Sequence, residues 1–240
     1  ADMTLNMSMQ QIWFTAVLAL YSTLPANALI YGVNDLADWD TDQLNAKKEG
    51  YEARIKPGER THFTLLLPIL NIPFIVLLLV LSPAFLPFLL LFLFTGIFYS
   101  LPPIRAKAIP FLDMLFNTLY IFLGFGAYFA LTGEVGSPVA WVGATAWVMA
   151  MHAYSAVPDI TADKKAGLST TATLLGANGT IVLCAVLWTV ATGSATGEKH
   201  PKNALKTASM AGRMNASKTN VKSHGTPARK TRTAWRASNV

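Results

Sequence analysis

Asn34-Asp35-Leu36-Ala37-Asp38-Trp39-Asp40-Thr41-Asp42 closes an apolar run, Ile12–Val33, that is long enough to cross a bilayer. A charge beside lipid loses its hydration, so four carboxylates in that position read as a functional site before they read as surface decoration. The rest of the chain keeps the same apolar character. Of its 240 residues 52% are hydrophobic and only 13% charged, and the mean hydropathy is +0.40. Those values lie outside the usual range for a soluble domain of this length.

Six apolar runs can be marked, Ile12–Val33, Thr64–Leu81, Ala84–Tyr99, Phe111–Thr132, Pro138–Val157 and Gly179–Ser194. Each has about 16–22 residues, against the roughly 20 that a spanning helix needs. The sequence therefore predicts an all-α, polytopic transmembrane helical bundle with about six spanning helices. Pro68, Pro73 and Pro87 fall inside these runs and mark kinks, which membrane helices tolerate. Cys184 is the single cysteine, so neither a disulfide framework nor a cysteine zinc site is possible. Ala1–Gln11 has neither the basic start nor the small-residue cleavage site of a signal peptide.

The net charge of +6 divides unevenly along the chain. Through Thr196, nine Lys and Arg face twelve Asp and Glu, a balance of −3; from Gly197 onward ten basic residues face Glu198 alone. Residues 1–196 are thus expected to form the membrane domain. Residues 197–240, rich in Ala, Ser, Thr, Asn and Lys and without apolar periodicity, are expected to be a basic disordered tail.

Alternating the six runs across a membrane puts Asn34–Phe63, Ser100–Pro110 and Asp159–Asn178 on one face. All nine basic residues of residues 1–196 fall in those three segments, so the positive-inside rule makes that face cytoplasmic. The same alternation sends the tail to the other face, against the rule. Three readings follow: the last run is too short to cross, the tail is an extracellular basic arm, or it is foreign, out-of-frame sequence. A nucleic-acid partner is not expected, because basic disordered tails are usually only solvated.

On a helix continuing from Ile12 through Asp42, a 100° turn per residue places Asn34, Asp35, Asp38 and Asp42 within about 100° of arc. Asp40 falls on the far side, as a solvated spectator. Asp159-Ile160-Thr161-Ala162-Asp163 repeats the i, i+4 spacing on the same predicted face. One acidic cluster at a helix end is ordinarily a solvated cap; two with matched spacing on one face can hold divalent cations. Mg²⁺ suits them, since it takes few protein oxygens and completes its shell with water and phosphate. A diphosphate is then the natural ligand, with Arg105, Lys107, Lys164 and Lys165 placed to neutralise its remaining oxygens. The apolar helices beneath would hold a hydrocarbon chain.

With these residues in view, the chain resembles the UbiA superfamily of membrane prenyltransferases. That family's first motif, Asn-x-x-x-Asp-x-x-x-Asp, matches Asn34, Asp38 and Asp42; its second, Asp-x-x-x-Asp, matches Asp159 and Asp163. Between them, Tyr99-Ser100-Leu101-Pro102-Pro103-Ile104-Arg105-Ala106-Lys107 looks like the loop that supplies a tyrosine and basic residues to the diphosphate. Val157–Gly167 followed by Thr170-Thr171-Ala172-Thr173 looks most like the carotenoid-modifying members, the lycopene elongases. Members acting on quinone precursors, chlorophyllide or glycerol lipids share the metal motifs. Since family members have nine spanning helices, the resemblance also implies that the stretch here is truncated at both ends.

The resemblance implies a Mg²⁺-dependent transfer of a prenyl group from an allylic prenyl diphosphate to a hydrophobic acceptor such as lycopene. It assigns the catalytic carboxylates to Asp38, Asp42, Asp159 and Asp163 and the metal ligands to those four with Asn34 and Asp35. Donor binding falls to Asn34, Tyr99, Arg105, Lys107 and Lys164. Asp113, Asn117 and His152 are further candidates for the chamber, with interhelical hydrogen bonding or helix-dipole pairing as the plainer reading of each. Trp141 and Trp147 read as interface anchors or packing. Two rival classes are a cation transporter, which predicts acids at the membrane midplane in broken helices, and an inactive fragment that only packs in the membrane.

Overall fold

The structure is a computed structural model describing residues 7–38 and 55–197. Eight α-helices follow in order: α1 (Met9–Ala37), α2 (Arg60–Leu81), α3 (Leu86–Ser100), α4 (Leu112–Phe116), α5 (Leu119–Thr132), α6 (Pro138–Ala156), α7 (Ile160–Lys165) and α8 (Thr171–Gly197). Among the described residues, five helical stretches are long and apolar enough to cross a membrane: Met9–Ala37, Arg60–Leu81, Pro83–Ser100, Leu112–Thr132 and Thr171–Ala195. The sixth predicted run is also helical, as α6, and is not among these five. The all-α bundle expected from the sequence is the observed architecture.

Local chemistry sets the helix ends. Ser8 and Gln11 form a capping box, Ser8 Oγ accepting from the Gln11 N–H and Gln11 Oε1 accepting from the Ser8 N–H, so α1 starts at Met9, ahead of the apolar run. Ser82 and Pro83 turn α2 directly into the 3₁₀ turn Pro83–Phe85 that leads α3. Gly133, in the left-handed conformation at φ 76°, ends α5, and Ser137 caps α6 by accepting from the Ala140 N–H. The predicted run Gly179–Ser194 proves to be the inner part of a 27-residue helix that begins at Thr171 and kinks at Gly176. The stretch Thr171–Ala195 is long and apolar enough to cross, against the reading in which the last run is too short. The expectations for residues 198–240 lie outside the described residues.

The main core lies between α1, α3 and α5. Phe14, Tyr21 and Ile30 of α1 meet Phe85 just before α3, Phe88 and Phe92 of α3, and Leu119 and Leu123 of α5, with Leu78 of α2 closing one side. Lipid is as apolar as these side chains, so burial alone gives helices little reason to associate there; close packing does. Gly126 shows how close. A Cβ at that position would fall 2.6 Å from both Phe85 Cε2 and Phe88 Cβ, so α5 can lie against α3 only without a side chain there. A smaller cluster, Met114, Ala153 and Cys184, joins α4, α6 and α8. Ile69, Val80 and Val182 are 68%, 70% and 64% exposed, as lipid-facing side chains are.

Candidate active site

Asn34 stands in the last turn of α1, and Asp38 is the residue that ends it, its N–H closing on the Asn34 carbonyl at 3.0 Å. The helix thus stops at Ala37 rather than running on through Asp42. The i, i+4 arc survives for Asn34 and Asp38, while Asp40 and Asp42 lie outside the described residues. Asp35 is half-buried on the same turn.

The segment after α3 brings cations to this end. Arg105 adopts the left-handed conformation, φ 48° and ψ 54°, and opens the 3₁₀ turn Ala106–Ala108. This reversal buries Lys107, 8% exposed, while the Arg105 side chain stays 41% exposed. Lys107 Nζ donates to Asn34 Oδ1 at 2.9 Å and to Asp38 Oδ2 at 2.5 Å. Arg105 Nη2 lies 3.7 Å from Asp38 Oδ1. Ser100 Oγ donates to the same Asn34 oxygen at 2.8 Å, so one amide oxygen ties α1, α3 and the 3₁₀ turn together. Ser100 was not singled out from the sequence, although it directly follows Tyr99 in the quoted loop.

The second motif follows α6 through the 3₁₀ turn Val157–Asp159. Asp159 precedes α7 and Asp163 stands within it, one turn later. Thr170 and Thr173 then bond reciprocally, each hydroxyl accepting the other's N–H, and start α8. Asp113 of α4 anchors that start. Buried to 2% exposure, it accepts the Thr171 N–H at 2.8 Å and the Thr171 hydroxyl at 2.5 Å, as well as the Met114 N–H at 2.9 Å. Its role is to cap α8, which lies far from it in sequence.

Both motifs open into one cavity of about 280 Å³. Asn34, Asp38, Tyr99, Lys107, Asp159 and Asp163 line it, together with Asp113 and His152. Asn117 Nδ2 lies 2.8 Å from His152 Nδ1 and the Tyr99 ring meets the His152 ring edge-on at 6.0 Å, so the expected interhelical hydrogen bond exists at the cavity wall. Lys164 and Lys165 are exposed on α7 and, like Asp35, are not among the lining residues. Trp141 packs flat on Phe125 at 4.0 Å, as the plainer reading of it held.

The oxygen donors here suit a hard cation. Asn34 and Asp38 already turn their oxygens onto a positive group, the Lys107 ammonium. Among the described residues no three Asp, Glu, His or Cys side chains are grouped closely enough to hold a metal by themselves. A cation that keeps water and phosphate oxygens in its shell, as Mg²⁺ does, fits such a sparse set.

A model of the UbiA prenyltransferase family matches residues 3–201. The chain belongs to the UbiA prenyltransferase family. Among UbiA relatives it is 40% identical over 174 residues to the lycopene elongase/hydratase of Haloferax volcanii, covering 72% of this chain and 57% of that protein. It is 33% identical over 185 residues to the lycopene elongase/hydratase of Corynebacterium glutamicum, covering 75% and 64%. The chain thus spans about three fifths of the length of the relatives it matches. Its fold is similar to the structure of a UbiA homolog from Archaeoglobus fulgidus bound to DMAPP and Mg²⁺, with a TM-score of 0.61 and 25% identity over 88% of this chain and 75% of that one. Family and helices together make it a multi-pass membrane protein.

Proposed function

We propose that this UbiA chain belongs to an enzyme that moves a prenyl group from an allylic prenyl diphosphate to a carotenoid of the lycopene type, at a site facing the cytoplasm. The observation that carries this is the convergence of both acidic motifs, Lys107 and Tyr99 on one cavity. The similarity to lycopene elongase/hydratases of archaea and of an actinobacterium favours a carotenoid acceptor.

In the reaction the allylic C–O bond breaks and its electron pair leaves with the diphosphate. The acceptor's terminal double bond supplies the pair for the new C–C bond, and the resulting tertiary cation loses a proton or takes up water. Mg²⁺, when bound, supplies Lewis acidity to the leaving diphosphate. Asn34, Asp38, Asp159 and Asp163 would hold it, with Asp42 and Asp35 completing the set read from the sequence. Lys107 and Tyr99 face the cavity and would meet the phosphate oxygens; Arg105 is not among the lining residues and approaches Asp38 at 3.7 Å. Apolar helices keep bulk water from the allylic cation.

A cation transporter fits less well. The acids occur where α1 ends and where α7 begins, rather than in the middle of spanning helices.

The test is transfer from labelled dimethylallyl diphosphate in membranes holding the full chain, alone and extended by the portions of the Haloferax volcanii protein it does not cover. The acceptor panel contains lycopene, an aromatic quinone precursor, chlorophyllide and a glycerol lipid. Asp38→Ala and Asp159→Ala should each lower transfer to lycopene at least about a hundredfold. Transfer that survives both substitutions sinks the site assignment, and preference for another acceptor sinks the carotenoid reading.

A further inference from the structure

Lys107 is the least expected member of the site. A buried ammonium is costly unless paired, and this one rests on the two first-motif oxygens, Asn34 Oδ1 and Asp38 Oδ2, that a divalent cation would use. Ser100 holds Asn34 from a second direction at 2.8 Å, so the amide oxygen is kept turned toward the ammonium. The left-handed backbone at Arg105 and the 3₁₀ turn behind it deliver Lys107 to that place. A divalent ion and an ammonium cannot share these oxygens without strong repulsion. The lysine stem is flexible enough to swing its charge to another acceptor in the same cavity.

We propose that Lys107 is the site's own cation. Before loading, its ammonium holds Asn34 and Asp38 in the arrangement a metal needs, and divalent ions bind tightly only once a diphosphate has drawn that ammonium away. Metal and diphosphate then load cooperatively, each removing an obstacle to the other, which is a coupling between two ligands carried by one side chain. The inference rests on the metal–diphosphate reading of the cavity, and adds an order and a cause to it. It also distinguishes Lys107 from Arg105, which lies 3.7 Å from Asp38 but is 41% exposed and screened by solvent.

The test titrates the purified full chain with Mn²⁺ as the probe metal, reading protein-bound Mn²⁺ by electron paramagnetic resonance with and without inorganic pyrophosphate. For the unmodified chain pyrophosphate should tighten Mn²⁺ binding about tenfold or more. Without pyrophosphate, Lys107→Gln should bind Mn²⁺ about tenfold more tightly than the unmodified chain, and Lys107→Arg should not. Without pyrophosphate, Arg105→Gln should gain clearly less than Lys107→Gln, since the exposed guanidinium is screened by solvent. Equal Mn²⁺ affinity of the unmodified chain with and without pyrophosphate overturns the proposal, whatever the variants do. So does Lys107→Gln binding no better than the unmodified chain, or Arg105→Gln gaining as much as Lys107→Gln. Absence of Mn²⁺ binding even with pyrophosphate removes the metal–diphosphate reading, and this inference with it; unchanged affinity in Lys107→Gln removes the inference alone.

Discussion

Asp113 and Thr171 form a two-point polar joint beside the cavity: the carboxylate accepts both the backbone N–H and the hydroxyl of a residue 58 positions further along the chain. It fixes the start of α8 to α4, and with it the return of the chain from α7. Replacing Asp113 with Ala leaves two buried donors of Thr171 unpaired and should cost about 2–4 kcal/mol. Thr171→Val keeps the N–H bond but also removes the hydroxyl oxygen that accepts the Phe111 N–H, and should cost about 1–3 kcal/mol. Thermal unfolding in detergent measures both, and a smaller loss in Asp113→Ala than in Thr171→Val would show that the carboxylate contributes little.

Ser100 is not among the residues lining that cavity but holds Asn34. Ser100→Ala should therefore weaken metal use without removing a ligand, raising the Mg²⁺ concentration for half-maximal transfer about tenfold, as lost supporting hydrogen bonds do. The measurement is transfer rate against Mg²⁺, and kcat at saturation should fall far less. A fall in kcat with an unchanged Mg²⁺ requirement would place Ser100 elsewhere in the reaction.

Asn117 and His152 make a bond between helices at the wall of the same cavity. Polar pairs of this kind contribute modestly in membranes, because the separated helices find other partners, so Asn117→Leu should cost about 0.6–1.7 kcal/mol. That is less than the loss expected at Asp113, and unfolding of the two variants side by side tests the order.

Gly124 and Gly126 lie two residues apart on α5 and should respond oppositely. A Cβ at Gly124 meets nothing within 4 Å, whereas at Gly126 it falls 2.6 Å from the Phe85 ring. Gly126→Ala should destabilise by about 1–3 kcal/mol through overpacking. Gly124→Ala should be neutral or stabilise by up to about 1 kcal/mol through helix propensity. Melting temperatures of the two variants decide it.

Much of this was legible in the sequence because the signals are local. An apolar run of spanning length has few alternatives, so all six runs are helical, and a spacing of one helical turn brings Asn34 and Asp38 to one cavity. Ends were harder. The polar capping residues Ser8 and Gln11 carry α1 past its apolar edge, and Thr170 and Thr173 start α8 before its apolar stretch begins. At Asp38 the chain leaves the helix although nothing in the residues Asn34–Asp42 forbids another turn. Least legible were pairings set by tertiary structure. Nothing in Asp113 names Thr171, and alternation of charge in the loop could not say that Lys107 turns inward while Arg105 stays exposed.

The neutrality of Asn34 has a consequence for the charge balance of the site. Because its amide carries no charge, Asn34 gives the Lys107 ammonium an acceptor oxygen without a counter-charge, while the Asp38 carboxylate lies against both Lys107 and Arg105. An aspartate at position 34 would keep the size and the acceptor oxygen, yet leave an extra negative charge beside a buried pair. An isosteric exchange of amide for acid would thus tighten the hold on the Lys107 ammonium where the native amide offers only a neutral acceptor.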